Sequence, residues 1–126
     1  MSTRQVEQLA TYLEVLGKWQ PKLNLIGPKT WPECWDRHVV DSLQCLDVVE
    51  QPIQAGRGWA DIGTGAGFPG IVLSIATGVP VQLVESDQRK AAFQLAVKSA
   101  TGAPFTVINK RVESLEPAPL DCLFAR

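Results

Sequence analysis

Asp61-Ile62-Gly63-Thr64-Gly65-Ala66-Gly67-Phe68-Pro69-Gly70 is the stretch that decides how this chain is read. Four glycines fall within eight residues, directly behind Trp59-Ala60-Asp61-Ile62 and directly ahead of a helix that Pro69-Gly70 opens. Glycine admits the left-handed backbone and lets main chain approach a ligand with no Cβ in the way. In an open parallel sheet, ligands collect outside the carboxyl ends of the strands, where a strand-to-helix turn of this kind sits. A tight turn with no ligand is the bland alternative, and the density of glycines speaks against it.

Outward from the turn, strand and helix signals alternate. The helix opened at Pro69-Gly70 runs through Ala76 and stops near Gly78. Val81-Gln82-Leu83-Val84-Glu85 reads as a strand, and Asp87 caps a helix to about Ala100 with Gly102 as its stop. Phe105-Thr106-Val107-Ile108 is a third strand and Cys122-Leu123-Phe124-Ala125 a fourth. This order predicts right-handed crossovers and a parallel sheet, an α/β fold of Rossmann-like type. Pro117 and Pro119 leave little room for a regular helix between the last two strands.

Upstream, Gln51 to Gly58 reads as a connection, and the first fifty residues read as helical. Val6, Leu9, Ala10, Leu13 and Leu16 follow helical spacing behind a Ser2-x-x-Gln5 capping box, with Gly17 and Pro21 weakening the helix near its end. Thr30-Trp31-Pro32-Glu33 starts a second helix, with Trp35, His38 or Val39, Ser42, Leu46 and Val49 along its stripe. The chain therefore divides into an N-terminal helical segment, 1–50, and a cofactor-binding half, 51–126.

Composition sets limits on function. Twelve basic against thirteen acidic residues give a net charge of −1, and no basic patch for a polyanion is evident along the sequence. No apolar run approaches the roughly 18–20 residues of a membrane span. Met1-Ser2-Thr3-Arg4 leads into a polar helix rather than a signal core, so the expected compartment is the cytoplasm, with no membrane partner. Cys34, Cys45 and Cys122 form no CxxC pair and read as reduced, packed thiols; with a single His, no metal site is expected.

Which ligand the turn holds is a question of charge. Gly65-x-Gly67-x-x-Gly70 matches the dinucleotide fingerprint, and Glu85 stands at about the ~20-residue offset of a ribose-binding acid, so an NAD(P)-dependent oxidoreductase stays open. A P-loop is excluded, since no Lys-Ser/Thr follows. A dinucleotide lays its pyrophosphate on the helix N-terminus, where Asp61 would repel it. S-adenosyl-L-methionine carries an ammonium and a sulfonium instead, and an acid at the end of the first strand suits both. The acid before the glycines favours the methyl donor; the plainer alternative is that Asp61 points away and hydrogen-bonds the loop.

Several ordered pieces resemble the RsmG family, also called GidB or glucose-inhibited division protein B, the bacterial 16S ribosomal RNA guanine-N7 methyltransferases. Lys22-Leu23-Asn24-Leu25 resembles that family's early NLT element, with Ile26-Gly27 in place of the usual threonine. Arg37-His38-Val39-Val40-Asp41-Ser42-Leu43 is similar to its H-x-x-D-S helix, and Asp61–Gly70 to its cofactor loop. Val84 to Phe93, Arg111-Val112-Glu113 and Asp121 to Arg126 fit as well.

The resemblance implies a class I methyltransferase using S-adenosyl-L-methionine on 16S ribosomal RNA or the small ribosomal subunit. Gly63 and Phe68 would line the methionine and ribose side of the cofactor, and Asp61, Gly65 and Gly67 belong to the same cofactor-binding loop. Glu85 would hold the ribose, Val112 and Glu113 would bracket the adenine, and Arg126 would sit beside the cofactor near the catalytic face. His38, Asp41 and Ser42 are candidates near the active site. Each has a plainer reading. Phe68 would staple the loop to the core, Glu113 would be a solvated charge, and His38, Asp41 and Ser42 would orient the N-terminal helices. Trp19, Trp31 and Trp35 would stack bases, or more simply pack into the core.

The resemblance also implies a seven-stranded sheet, so the chain is expected to be truncated after its fourth strand. A bare fourth strand would invite self-association, and the fragment would keep the cofactor cleft yet methylate RNA poorly. A non-catalytic stub that binds cofactor or ribosome is the remaining alternative.

Overall fold

The computed structural model describes residues 1–27, 33–45, 58–115 and 122–125. Helix α1 spans Thr3–Leu23. A π-helical turn, Trp35–Val40, leads into the short α2, Asp41–Gln44. Then come β1, Trp59–Ile62; α3, Gly70–Thr77; β2, Val81–Val84; α4, Gln88–Thr101; β3, Phe105–Ile108; a 3-10 turn, Val112–Ser114; and β4, Cys122–Ala125. The sheet order is β3-β2-β1-β4, every pairing parallel, as the strand–helix alternation predicts.

The local signals work where they are self-contained. Ser2 and Gln5 close the predicted capping box, each side chain bonded to the other's backbone N–H. Asp87 caps α4 by accepting from the Arg89 and Lys90 amides, and Gly78 and Gly102 end α3 and α4 in the left-handed conformation.

Packing overrides them in α1, which runs through Gly17 and Pro21 to a left-handed cap at Asn24. An interior proline costs about 3 kcal/mol. Burying Leu9, Tyr12 and Leu16 stabilises by about 1.5–3 kcal/mol each, and that sum wins. The buried stripe is Leu9, Tyr12, Leu16 and Gln20, because α1 lies across both α3 and α4. Val6, 47% exposed, and Ala10 fall outside it, a correction to the expected stripe. Gln20 tolerates burial because its amide group both donates to the Ile26 carbonyl and accepts from the Ile26 N–H.

Trp35 is a second correction. It is 43% exposed rather than packed, because the wider π-helical turn shifts the phase and buries Cys34 in its place, while Val39 and Ser42 are buried as expected. Trp19 is half-buried, its ring edge-on to Phe93 at 5.9 Å. The Thr30-Trp31-Pro32 start, Leu46, Val49, most of the 51–58 connection and both Pro117 and Pro119 lie outside the described residues.

The sheet's two faces differ. Trp59, Asp61, Val81, Leu83 and Phe105 are buried, and Trp59 meets Phe124 edge-on at 5.8 Å. In the alternate row Ala60, Gln82, Thr106 and Leu123 stand side by side, the last three exposed among the described residues. The core cluster joins the buried face to α1 and α3 in one continuous body.

Candidate functional site

All four strands finish in one row, Ile62, Val84, Ile108 and Ala125. Two bonds carry the pairing one residue further: the Gly63 N–H to the Val84 carbonyl at 2.8 Å, and the Glu85 N–H to the Ile108 carbonyl at 3.0 Å. Asn109 Nδ2 donates to the Glu85 carbonyl at 2.8 Å. Above this row opens a cleft of about 280 Å³. Ile62, Gly63, Val84 and Ser86 line it at the ends of β1 and β2, and Lys110 through Glu113 line it on the β3 side. It lies where an open α/β sheet binds ligands.

The glycine turn is held from beneath. Gly63, Gly65 and Gly67 have φ of +69°, +51° and +94°, backbone that L side chains enter only under strain. Asp61, 1% exposed, accepts from the Gly70 N–H on Oδ2 at 2.8 Å. A Cβ on Gly70 would lie 2.6 Å from Leu83 Cδ2 and 2.7 Å from Asp61 Oδ2, so that position admits only hydrogen. At Gly63 an added Cβ would meet nothing within 4 Å, and this glycine faces the cleft.

Glu85, 6% exposed, bridges two segments. Its Oε1 accepts from the Gly65 N–H at 2.8 Å and its Oε2 from the Asp87 N–H at 3.0 Å. Gln94, fully buried on α4, donates from Nε2 to the Gly65 carbonyl at 2.9 Å and to Thr64 Oγ1 at 2.5 Å. Its Oε1 is the one buried side-chain polar atom without a partner among the described residues. From α1, the Tyr12 hydroxyl donates to the Ala66 carbonyl.

Direct ligand contact was expected of Asp61 and Phe68; the structure puts both to work inside the protein. Phe68 is buried, stacked on His38 at 5.0 Å and 22°, and tilted against Tyr12 at 5.5 Å. Its ring ties the turn to the N-terminal helices and is not among the cleft's lining residues. His38 is half-buried there, and its carbonyl accepts from Ser42 Oγ at 2.6 Å, while Asp41 is exposed. Gly63, Val112 and Glu113 do line the cleft, whereas Gly65, Gly67 and the buried Glu85, all predicted to meet the cofactor, are not among its lining residues. Arg126 lies outside the described residues.

Sequence reasoning passed over Tyr12, Thr64 and Gln94. Tyr12 carried a signal, three residues from Leu9 on the same helical face. Gln94, next to Phe93 on an ordinary helix, carried none.

Titration marks two groups. The Lys90 and Arg89 backbone amides hold the Asp87 carboxyl below its ordinary value. Burial pushes the Cys34 thiol up to about 11, leaving it an inert packed group at neutral pH. Among the described residues, no three or more His, Cys, Asp or Glu group to hold a metal ion, and no helix is long and apolar enough to cross a membrane.

A parallel α/β sheet with a glycine turn after β1, an acid after β2 and an open cleft at the strand ends has the architecture of a Rossmann-like methyltransferase fold. The chain belongs to the GidB family, rRNA small subunit methyltransferase G, whose model matches residues 5–126. It is 44% identical over 126 residues to the ribosomal RNA small subunit methyltransferase G of Paramagnetospirillum magneticum, covering 100% of this chain and 60% of that protein. The protein of the same name from Gluconobacter oxydans is 43% identical over 120 residues, 95% of this chain and 60% of its own length. That of Rhodospirillum centenum is 44% identical over 127 residues, 100% and 57%. The chain thus spans about 60% of the length of these curated relatives. Family membership implies a methyl donor of the S-adenosylmethionine type.

Proposed function

We propose that this chain forms the S-adenosyl-L-methionine site of a cytoplasmic enzyme that methylates N7 of a guanine in 16S, small-subunit ribosomal RNA. One observation carries the cofactor assignment: the Asp61 carboxylate already occupies the N-terminus of α3, 2.8 Å from the Gly70 N–H. A diphosphate needs those amides and that dipole, which together favour an anion by about 0.3–1 kcal/mol at an exposed site. A second negative charge ~4 Å from Asp61 costs about 4 kcal/mol at an effective dielectric constant near 20. Repulsion wins, which counts against NAD(P). A ligand with a sulfonium and an ammonium meets no such penalty.

The residues present fit that ligand. Gly63 leaves its side of the cleft open. Each carboxylate oxygen of Glu85 is bonded to one amide. A carboxylate offers about four acceptor sites, so about two would remain for ribose hydroxyls, which would have to reach Glu85 behind the Gly63 and Ser86 lining of the cleft. Val112 supplies an apolar surface for adenine, and the Glu113 carboxylate an acceptor for its amino group. Asp61, Gly65, Gly67 and Phe68 act by fixing the turn's shape, with His38 and Ser42 supporting Phe68. Asp41 stays at the surface, and Arg126 is carried over on the resemblance alone.

When bound, the cofactor supplies a methyl group already activated on its sulfur. Guanine N7 presents a lone pair with no proton to remove, so the chain's task is placement and exclusion of water rather than acid–base work. N7 lies on a base edge, which calls for an exposed or splayed-out guanine.

Calorimetry with S-adenosylhomocysteine and, separately, NAD tests the cofactor; tighter binding of NAD would overturn it. Transfer of labelled methyl to small-subunit RNA tests the reaction. Cofactor binding with no label on guanine N7 would leave the cleft assignment standing and sink the catalytic one for this chain, in favour of a cofactor-binding stub.

A further inference from the structure

A second hollow, of about 340 Å³, lies along the carboxyl-terminal half of α1, lined by Lys18, Trp19 and Lys22. Lys18 and Lys22 are one helical turn apart and both exposed. Across from them, Arg89 on the first turn of α4 donates from Nη2 to the Lys22 carbonyl at 3.1 Å, which brings a third exposed positive charge to the same place. Among the described residues, no ion pair engages any of the three; the one ion pair is Arg37 with Glu33. The nearest acid on α4, Asp87, is spent on the helix cap.

The hollow shares an end of the molecule with the cofactor cleft. Helix α4 starts just after β2 ends, and Glu85 ties the two together through the Asp87 N–H. Lys90, next along α4, has its side-chain stem about 4.0 Å from where a Cβ on Gly65 would be. Lys110 and Arg111 stand on the cleft's far rim. A chain of net charge −1 therefore gathers cations on both sides of its cleft. The sequence alone shows no such patch, because Arg89 and Lys22 are 67 residues apart.

We propose that the Lys18–Lys22–Arg89 groove holds the phosphodiester backbone of the RNA substrate, with Trp19 at its floor offering an aromatic surface to an unpaired base. This rests on the ribosomal RNA reading above and adds to it the surface that docks the RNA. Two exposed lysines lining the hollow, with the exposed Arg89 joined to Lys22 beside them, match a polyanion, and contacts of this kind position a nucleic acid without reading its sequence.

The test is fluorescence anisotropy of labelled small-subunit RNA against the whole chain and its Lys18→Gln/Lys22→Gln/Arg89→Gln variant, from about 50 to 200 mM salt. The triple variant should bind at least tenfold more weakly, and its slope of log K against log salt should flatten by about 2, since each lost phosphate contact removes about 0.7–0.9. Arg89→Lys should keep most of the affinity, which separates charge from the structural bond to Lys22. Thermal melting and S-adenosylhomocysteine affinity, unchanged across the set, exclude misfolding. Unchanged RNA affinity and slope, with cofactor binding intact, overturn the groove and leave the methyltransferase reading untouched. Failure of the parent to bind RNA overturns the groove as well. Failure of the parent to bind cofactor, while RNA binding still depends on the three cations, supports the groove and sinks the reading beneath it. Loss of binding to phosphatidylglycerol vesicles but not to RNA shows a membrane-facing patch and overturns the proposal.

Discussion

The two walls of the cleft are built differently. The glycine turn is tied down from four directions: Tyr12 on α1, Asp61 on β1, Glu85 after β2 and Gln94 on α4. The opposite rim, Lys110 to Glu113, is exposed throughout. Among the described residues, local backbone bonds hold it, such as Ser114 N–H to the Arg111 carbonyl at 3.0 Å, and no side-chain hydrogen bond does. One wall is shaped by folding itself; the other stays free to settle on a ligand. Substitutions in the turn should therefore cost stability first, and substitutions on the rim should cost affinity alone.

Gly70→Ala should show the largest effect. The added methyl has no space between Leu83 and Asp61, so urea unfolding should register a loss of about 3 kcal/mol. A loss under 1 kcal/mol would mean the turn is not over-determined. Asp61→Asn keeps an acceptor near Gly70 but removes the charge; about 2 kcal/mol should go, and NAD affinity should rise relative to the parent. Tyr12→Phe leaves the ring on Phe68 and orphans the Ala66 carbonyl, at about 1 kcal/mol and a severalfold weaker grip on S-adenosylhomocysteine.

On the rim the pattern should invert. Glu113→Gln should leave stability within about 0.5 kcal/mol while weakening S-adenosylhomocysteine about tenfold, as loss of one charged hydrogen bond implies. Equal losses in both measurements would erase the distinction between the walls.

The smallest expected effect is Asp87's dependence on pH. Its folded carboxyl lies below the ordinary value of 3.8, held there by the Lys90 and Arg89 amides. The contribution is therefore complete above that ordinary value and fades as pH falls through the folded one. Unfolding curves of the parent and Asp87→Asn should differ in their acid limb and run parallel at neutral pH. A parent-minus-variant difference that shrinks as pH rises from the acid limb toward neutrality would reverse the sign and reject the cap as its source.

Much of the architecture was legible because its signals are local. Strands bounded by glycine and proline, the Ser2–Gln5 box and the stops at Gly78 and Gly102 all act within a few residues. Where a distant surface decides, local reading failed. Val6 and Ala10 lost to Tyr12 because the helix turned its face toward α3 and α4, and Trp35 lost to Cys34 because of one wide turn. The candidate site divides likewise. That Asp61 and Glu85 stand at strand ends follows from the alternation of elements, but the direction of each carboxylate does not.

The amino-acid order alone settled the parallel sheet, the glycine turn and the family, since each is written in short-range pattern. Folding decided that Asp61 turns inward to Gly70, that Phe68 faces His38, and that Arg89 joins Lys22 across 67 residues. The reason is that a buried polar group must find a partner wherever the packed chain offers one, and that condition is imposed by the whole molecule at once.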